Sequence, residues 1–180
     1  VGIDTHRFSE NRKDAGEKRR ELGFRQEDFL ILTVAEMTKN KNHSTVLKAL
    51  ALLKDEPEFA RMHYLICGMG AQKESLRREA ADLQIASHVH FLGYRKDVPQ
   101  IYGCSDLFVF MSYREGLPVA LMEAMSSGLP TVCSPARGNT DLIENGKEGI
   151  IVSQSPRMLA DAILELYRDP EKRQRFGQAA

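Results

Sequence analysis

Residues 107–133 read LFVFMSYREGLPVALMEAMSSGLPTVC. An apolar strand-like run leads into a polar loop, a mostly apolar helical run, a small-residue turn and a second apolar run. Within it, Glu115 and Glu123 bracket EGLPVALME, eight positions apart. Glu115 falls in the loop beside Gly116, and Pro118 is placed as the first helical residue, where its missing N–H is no loss. At about 3.6 residues per turn, Glu123 then lies about one and a half turns into the helix. Ala120, Leu121, Met122, Ala124 and Met125 surround it, so the helix is predicted to be buried nearly all round. A carboxylate there is costly unless something donates hydrogen bonds to it, and the adjacent sequence offers no partner. Two such carboxylates, one at a strand-to-helix junction and one on the helix behind it, can grip a polyhydroxyl ligand from two sides. Glu115 also has a purely electrostatic reading, because a negative charge near a helix start is favourable without any ligand.

The same alternation extends outward along the chain. Strands are predicted at Phe29–Ala35, Met62–Cys67, Val89–Leu92, Leu107–Met111, Pro130–Cys133 and Gly149–Val152. These runs are continuous in apolar character instead of alternating, the pattern of parallel strands covered on both faces. Helices are predicted at His43–Lys54, with a stripe of Val46, Leu47, Leu50 and Leu53, and at Ala71–Leu83, with Leu76, Ala80 and Leu83 facing inward. Further helices are expected at Val98–Gly103, Val119–Ser127, Thr140–Asn145, Pro156–Arg168 and from Pro170 onward. Strand–helix alternation of this kind implies a Rossmann-like, doubly wound α/β sheet of about six parallel strands in a single domain. In such sheets ligands bind beyond the carboxyl ends of the strands. The segments there are Glu36–Lys41, Gly68–Gly70, Gly93–Arg95, Ser112–Pro118 and Ser134–Asn139, which hold most of the glycines and polar candidates.

Composition narrows the function classes. Lys plus Arg and Asp plus Glu each total 25, for a formal net charge of zero. No basic excess argues for a nucleic-acid partner. The three cysteines, Cys67, Cys104 and Cys133, match no zinc or CxxC spacing, and their odd number suits a reducing compartment. The five histidines form no metal pair at helical spacing, so structural roles are expected for them. No apolar stretch approaches the ~20 residues of a membrane span. The chain opens VGIDTHRF without an initiator Met and reads as part of a longer protein.

Two further motifs are weaker. Lys41 follows a strand and precedes the helix near His43. It reads either as a phosphate ligand beside a helix N-terminus or as a solvated lysine of the polar TKNKNH stretch. Gly68-Met69-Gly70 lacks the third glycine of a dinucleotide loop and reads as a tight strand-to-helix turn.

Together, GIDTHRF, KNKNH, LICGMG, VHFLGYRKDVPQIYGCSDLFVFMSYREGLPVALMEAMSSGLPTV and RGNTDLIENGKEGIIV resemble the C-terminal, donor-binding domain of GT-B glycosyltransferases of family 4. The resemblance covers essentially the whole chain. It implies retaining transfer of a sugar from a nucleotide-diphosphate sugar, most commonly a UDP-sugar, to an acceptor hydroxyl, without a metal or other cofactor. It implies Lys41 on the donor diphosphate, Glu123 on the ribose hydroxyls and Glu115 beside the reacting carbon as the catalytic carboxylate. Gly116, Leu117 and Pro118 would hold sugar and phosphate, and Gly93 and Tyr94 would line the base pocket. A sugar or lipid-linked acceptor, polysaccharide or glycoconjugate synthesis, and an N-terminal acceptor domain of the same protein complete the expectation. So does a cytoplasmic location, with the inner face of the membrane as an alternative. The chain alone is expected to bind nucleotide with little or no transfer. Two positions depart from the pattern: Glu36 replaces a frequent phosphate-gripping arginine, and Asp141 replaces a glutamate. A nucleotide-sugar epimerase or hydrolase of the same fold, or a non-catalytic binding module, are the competing readings.

Overall fold

Six strands form one sheet: β1 (Phe29–Val34), β2 (Met62–Cys67), β3 (Val89–Gly93), β4 (Leu107–Phe110), β5 (Thr131–Cys133) and β6 (Gly149–Ile151). Their order is β3-β2-β1-β4-β5-β6, and every neighbouring pair is parallel. The computed structural model describes residues 3–180; Val1 and Gly2, the latter opening the GIDTHRF segment, lie outside the described residues. Successive side chains on a strand point to opposite faces, and both faces are covered here. Phe29, Ile31, Met62, Tyr64, Ile66, Leu107 and Val109 enter one core with Leu47, Leu50, Leu76, Leu159 and Ile163. Leu30, Leu32, Leu65, Phe108, Phe110 and Cys133 enter the other with Phe8, Ile101, Tyr102, Leu121 and Ala124. Two covered faces explain why the strands read as unbroken apolar runs.

Among the described residues the α-helices are α1 (Thr5–Ser9), α2 (Ala15–Glu21), α3 (His43–Leu52), α4 (Lys73–Asp82), α5 (Val98–Cys104), α6 (Val119–Ser126), α7 (Arg137–Thr140), α8 (Pro156–Arg168) and α9 (Pro170–Ala179). Helices α3, α4 and α8 lie on the first face, and α1, α5 and α6 on the second. The chain thus leaves β1 toward one face and leaves β4 toward the other, although β1 and β4 are adjacent. That is the topological switch point, where the two loops diverge and open a crevice at the carboxyl edge.

Four details differ from the sequence reading. Helices α1 and α2 were not anticipated, because α2 buries only Arg19 and so carries no apolar stripe. Helix α7 spans Arg137–Thr140 instead of Thr140–Asn145. Gly138 N–H donates to the Glu115 carbonyl (3.1 Å) and anchors the turn early, while Asn145 joins an isolated bridge to Gly149. Pro118 is the residue before α6, not its first: its φ/ψ of −80°/82° are non-helical, and its carbonyl accepts from Leu121 and Met122. Finally, α6 buries only Leu121 and Ala124; Met122, Glu123 and Met125 are half-buried, and Glu123 rims an open cavity.

Candidate functional site

The loops after β1 and β4 meet across the switch point. Asn40 and Arg114 pair reciprocally: Asn40 Nδ2 donates to the Arg114 carbonyl (3.0 Å), and Arg114 N–H donates to Asn40 Oδ1 (3.1 Å). Tyr113 N–H donates to the Asn40 carbonyl at 2.9 Å. Asn42, left-handed at φ 55°, sends its amide to the Met111 carbonyl (3.1 Å) and accepts from the Thr45 hydroxyl (2.9 Å). Asparagine is among the few side-chain-bearing residues that tolerate this conformation. A 3₁₀ turn at Lys39–Lys41 then delivers Lys41 to the crevice.

Lys41 Nζ lies 2.6 Å from Glu115 Oε1, and the Glu115 side chain is only 7 % exposed. The ammonium also faces the Phe110 ring, 5.2 Å from its centroid. Two residues that the sequence singled out separately are therefore one ion pair. Behind them, His43 is fully buried, with Nε2 3.0 Å from the Glu36 carbonyl and Nδ1 3.2 Å from the Tyr64 hydroxyl. The carbonyl accepts only, so it fixes the proton on Nε2. Burial pushes this imidazole below its ordinary value and keeps it neutral. Tyr64 continues to Thr33 (2.9 Å) and Thr33 to the Val109 carbonyl (2.6 Å), tying the Lys41 loop to three strands. The Glu36 side chain is exposed.

The Glu115 loop is held from beneath by α7. A Cβ on Gly138 would sit 2.6 Å from the Gly116 carbonyl oxygen and 3.0 Å from that of Glu115, so only glycine admits the contact. Ser134, after β5, donates to the Ser112 carbonyl (2.5 Å), and the buried Asn139 amide donates to Ser134. Gly116 is open toward solvent, and Leu117 is exposed. Pro118 is buried, has no N–H, and its carbonyl is committed to α6, so it offers a ligand no polar group.

Glu123 has a protein partner from outside the adjacent sequence. Tyr102 on α5 donates to its Oε2 at 3.0 Å. Burial raises the Glu123 carboxyl above its ordinary value, and the Tyr102 hydrogen bond and the Arg7 charge partly hold it down. Glu123 lines a cavity of about 370 Å³ with Arg7, Phe8, Tyr94, Arg95 and Lys96. Gly93 turns the chain at φ 68°, and Tyr94 beyond it is 75 % exposed on the rim. Arg95 is committed to Asp97 through two bonds of 2.8 and 2.7 Å, and Lys18 joins the same carboxylate at 2.5 Å. The Arg95 guanidinium, then Lys18, hold the Asp97 carboxyl well below the carboxylate range.

The carboxyl edge thus carries two stations: the Lys41–Glu115 pair at the switch point, and the Glu123–Tyr94–Arg7 cavity along the α6–β3 side. Glu115 does not line the second. Tyr102, Asn40, Arg7 and Gly138 escaped the sequence reading. A larger cavity of about 550 Å³ opens at the opposite edge, but Arg12, Arg19 and Arg173 within it already donate to main-chain carbonyls. Burial raises the Cys67 and Cys133 thiols to about 12 and Cys104 to about 11, so none is a ready nucleophile. Among the described residues no group of three His, Cys, Asp or Glu could hold a metal ion, and no helix is long and apolar enough to cross a membrane.

The chain has relatives among known proteins. The EpsD protein of Bacillus subtilis (strain 168) is 31 % identical over 180 residues, 99 % of this chain and 47 % of its own length. The crystal structure of Anabaena HepE in complex with UDP and glucose superposes with a TM-score of 0.90 at 23 % identity, over 99 % of this chain and 49 % of that one. The C-terminal domain of the group 1 glycosyl transferase LpcC from Francisella tularensis superposes with a TM-score of 0.83 at 21 % identity, over 99 % of this chain and 94 % of that one. At these identities the structural likeness is one of fold. The chain spans about half the length of the curated relatives it matches. Residues 14–180 match the family described as glycosyl transferases group 1, and the chain belongs to that family.

Proposed function

We propose that this chain is the donor-binding domain of a retaining, metal-independent glycosyltransferase that uses a nucleotide-diphosphate sugar. The observation that carries the reading is the Lys41–Glu115 pair at the switch point, with Glu123 on the helix that leaves the same loop. Lys41 meets the diphosphate, with the start of α6 beside it. Glu123 accepts from the ribose hydroxyls, and Gly93 and Tyr94 flank the base. Gly116 and Leu117 line the sugar and phosphate path, with Pro118 buried beneath them. HepE, of the same fold, was crystallised with UDP and glucose, which supports a uridine donor here.

In the reaction, the bond between the sugar's anomeric carbon and the diphosphate oxygen breaks, and its electron pair leaves with the diphosphate. Lys41 stabilises the charge that accumulates there. The anomeric carbon becomes oxocarbenium-like, and the Glu115 carboxylate beside it offsets the positive charge. The acceptor oxygen forms the new bond from the face the diphosphate vacates, and its proton passes to the departing phosphate oxygen. The acceptor, a sugar or a lipid-linked sugar of polysaccharide or glycoconjugate synthesis, binds the N-terminal half of the full protein on the cytoplasmic side of the membrane. This chain alone captures donor without transferring it.

Calorimetry of the chain with UDP, GDP and ADP, with and without magnesium, tests the reading. One diphosphate binds without magnesium, and Lys41→Ala and Glu123→Ala each weaken it at least about tenfold, as expected for loss of a charge-assisted contact. Unchanged affinity in both variants removes these residues from the donor site.

A further inference from the structure

The Glu115 carboxylate is ion-paired with the Lys41 ammonium 2.6 Å away, and its side chain is 7 % exposed. Lys41 is 25 % exposed, with the Phe110 ring on another side. In this arrangement the ammonium is already neutralised. A diphosphate arriving on Lys41 brings a second anion to the same cation and leaves Glu115 beside negative oxygens with little water to screen them. Like charges so placed repel strongly. A sugar attached to the diphosphate changes the balance, because its hydroxyls donate charge-assisted hydrogen bonds to Glu115 in place of the ammonium. Free nucleoside diphosphate offers no such donor.

We propose that Glu115 is a specificity determinant: by holding Lys41 until a hydroxyl-bearing sugar takes over, it sets the site against free nucleoside diphosphate and in favour of the intact sugar nucleotide. The inference rests on the donor-site reading above. Spent diphosphate and fresh donor share the nucleotide and differ at the terminal phosphate, which carries an extra ionisable oxygen in the first and the sugar in the second. A group that meets that end discriminates best when its unmet state carries a penalty.

The test is calorimetric titration of the chain and of Glu115→Gln with UDP, GDP and ADP, then with UDP-glucose, GDP-mannose or ADP-glucose according to the base that binds. Glutamine keeps the volume and the hydrogen-bonding capacity toward a hydroxyl but carries no charge to claim Lys41. Glu115→Gln is expected to bind the free diphosphate about tenfold tighter than the wild type, with a smaller preference for the sugar nucleotide. Glu115→Asp, which keeps the charge, should show no gain. In a Lys41→Met background the gain from Glu115→Gln should vanish. If the wild type binds a free diphosphate and Glu115→Gln binds it equally or more weakly, the inference falls while the donor-site reading stands. A gain that persists without Lys41 also overturns it. Binding of no diphosphate by either chain overturns both.

Discussion

The Tyr102 hydroxyl has one proton and two acceptors, the Ala120 carbonyl at 2.9 Å and the Glu123 carboxylate at 3.0 Å. Its bond to Glu123 favours the ionised carboxyl, while burial favours the neutral one and is the larger influence. Tyr102→Phe removes the donor and lets burial act more fully, so the Glu123 carboxyl should rise further. A carboxylate that accepts from ribose hydroxyls must be ionised to do so well. Nucleoside diphosphate affinity should therefore be constant at high pH and weaken as pH falls through the Glu123 value. In Tyr102→Phe that acid limb should begin at higher pH, with about 1 kcal/mol of stability lost to the broken hydrogen bond. Titrations at a series of pH values check this; a limb that does not move leaves Tyr102 without influence on Glu123. The spacing of the two glutamates was legible in the sequence because both lie in one strand–loop–helix segment. Their partners were not. Tyr102 is 21 residues from Glu123 and Lys41 is 74 from Glu115, distances closed only by the packing of α5 beside α6 and of β1 beside β4.

Elements were legible where burial is apolar and illegible where it is polar. The strands declared themselves because two covered faces demand unbroken apolar runs. Helix α8 matched its predicted range, Pro156–Arg168, with Ser155 as a cap whose side chain accepts from Met158 N–H. Helix α2 is fixed differently: Arg19, 7 % exposed, donates to the Cys104, Gln26 and Asp28 carbonyls and to Asp106, which in turn accepts from Leu30 N–H. Nothing in AGEKRRE signals that. Helix α7 was misplaced for a related reason, since its position is set by a main-chain contact to the Glu115 loop. That contact gives an element-scale prediction. Gly138→Ala would place a methyl 2.6 Å from the Gly116 carbonyl oxygen and 3.0 Å from the Glu115 carbonyl oxygen and the Pro118 ring. Main chain cannot swing aside as a flexible side chain can, so α7 and the loop must separate. Overpacking of this kind costs about 1–3 kcal/mol. A lower melting temperature together with weaker diphosphate binding is expected; a melting temperature equal to the wild type would show that the loop yields freely.

At the scale of the molecule, the two edges of the sheet respond to acid through different groups. The amino edge holds three histidines. His63 and His90 are hydrogen-bonded at 2.9 Å, His63 and His88 stack at 5.3 Å, and His88 Nδ1 lies 2.7 Å from the Met62 carbonyl. Phe24 and Phe59 pack on the cluster, and Asp28 reaches within 3.9 Å of His63. Burial, then the charges of His63 and His88, bring His90 down to about 4; burial also lowers His63, against a modest opposing pull from Asp28. With His43, three imidazoles have folded values below the ordinary 6.5. Between 6.5 and those folded values the unfolded chain binds protons that the native chain does not, so stability rises with pH across that window and is lost as pH falls through it. Melting temperature should therefore decline as pH falls from about 7 toward about 4. His90→Gln, which keeps a hydrogen-bonding partner for His63 but cannot take up the proton, should make that decline shallower. The proposed donor site lies at the other edge, so His90→Gln should leave the acid limb of diphosphate binding where it is, while Tyr102→Phe moves it. A limb that moves with His90→Gln would mean that the two edges titrate as one system.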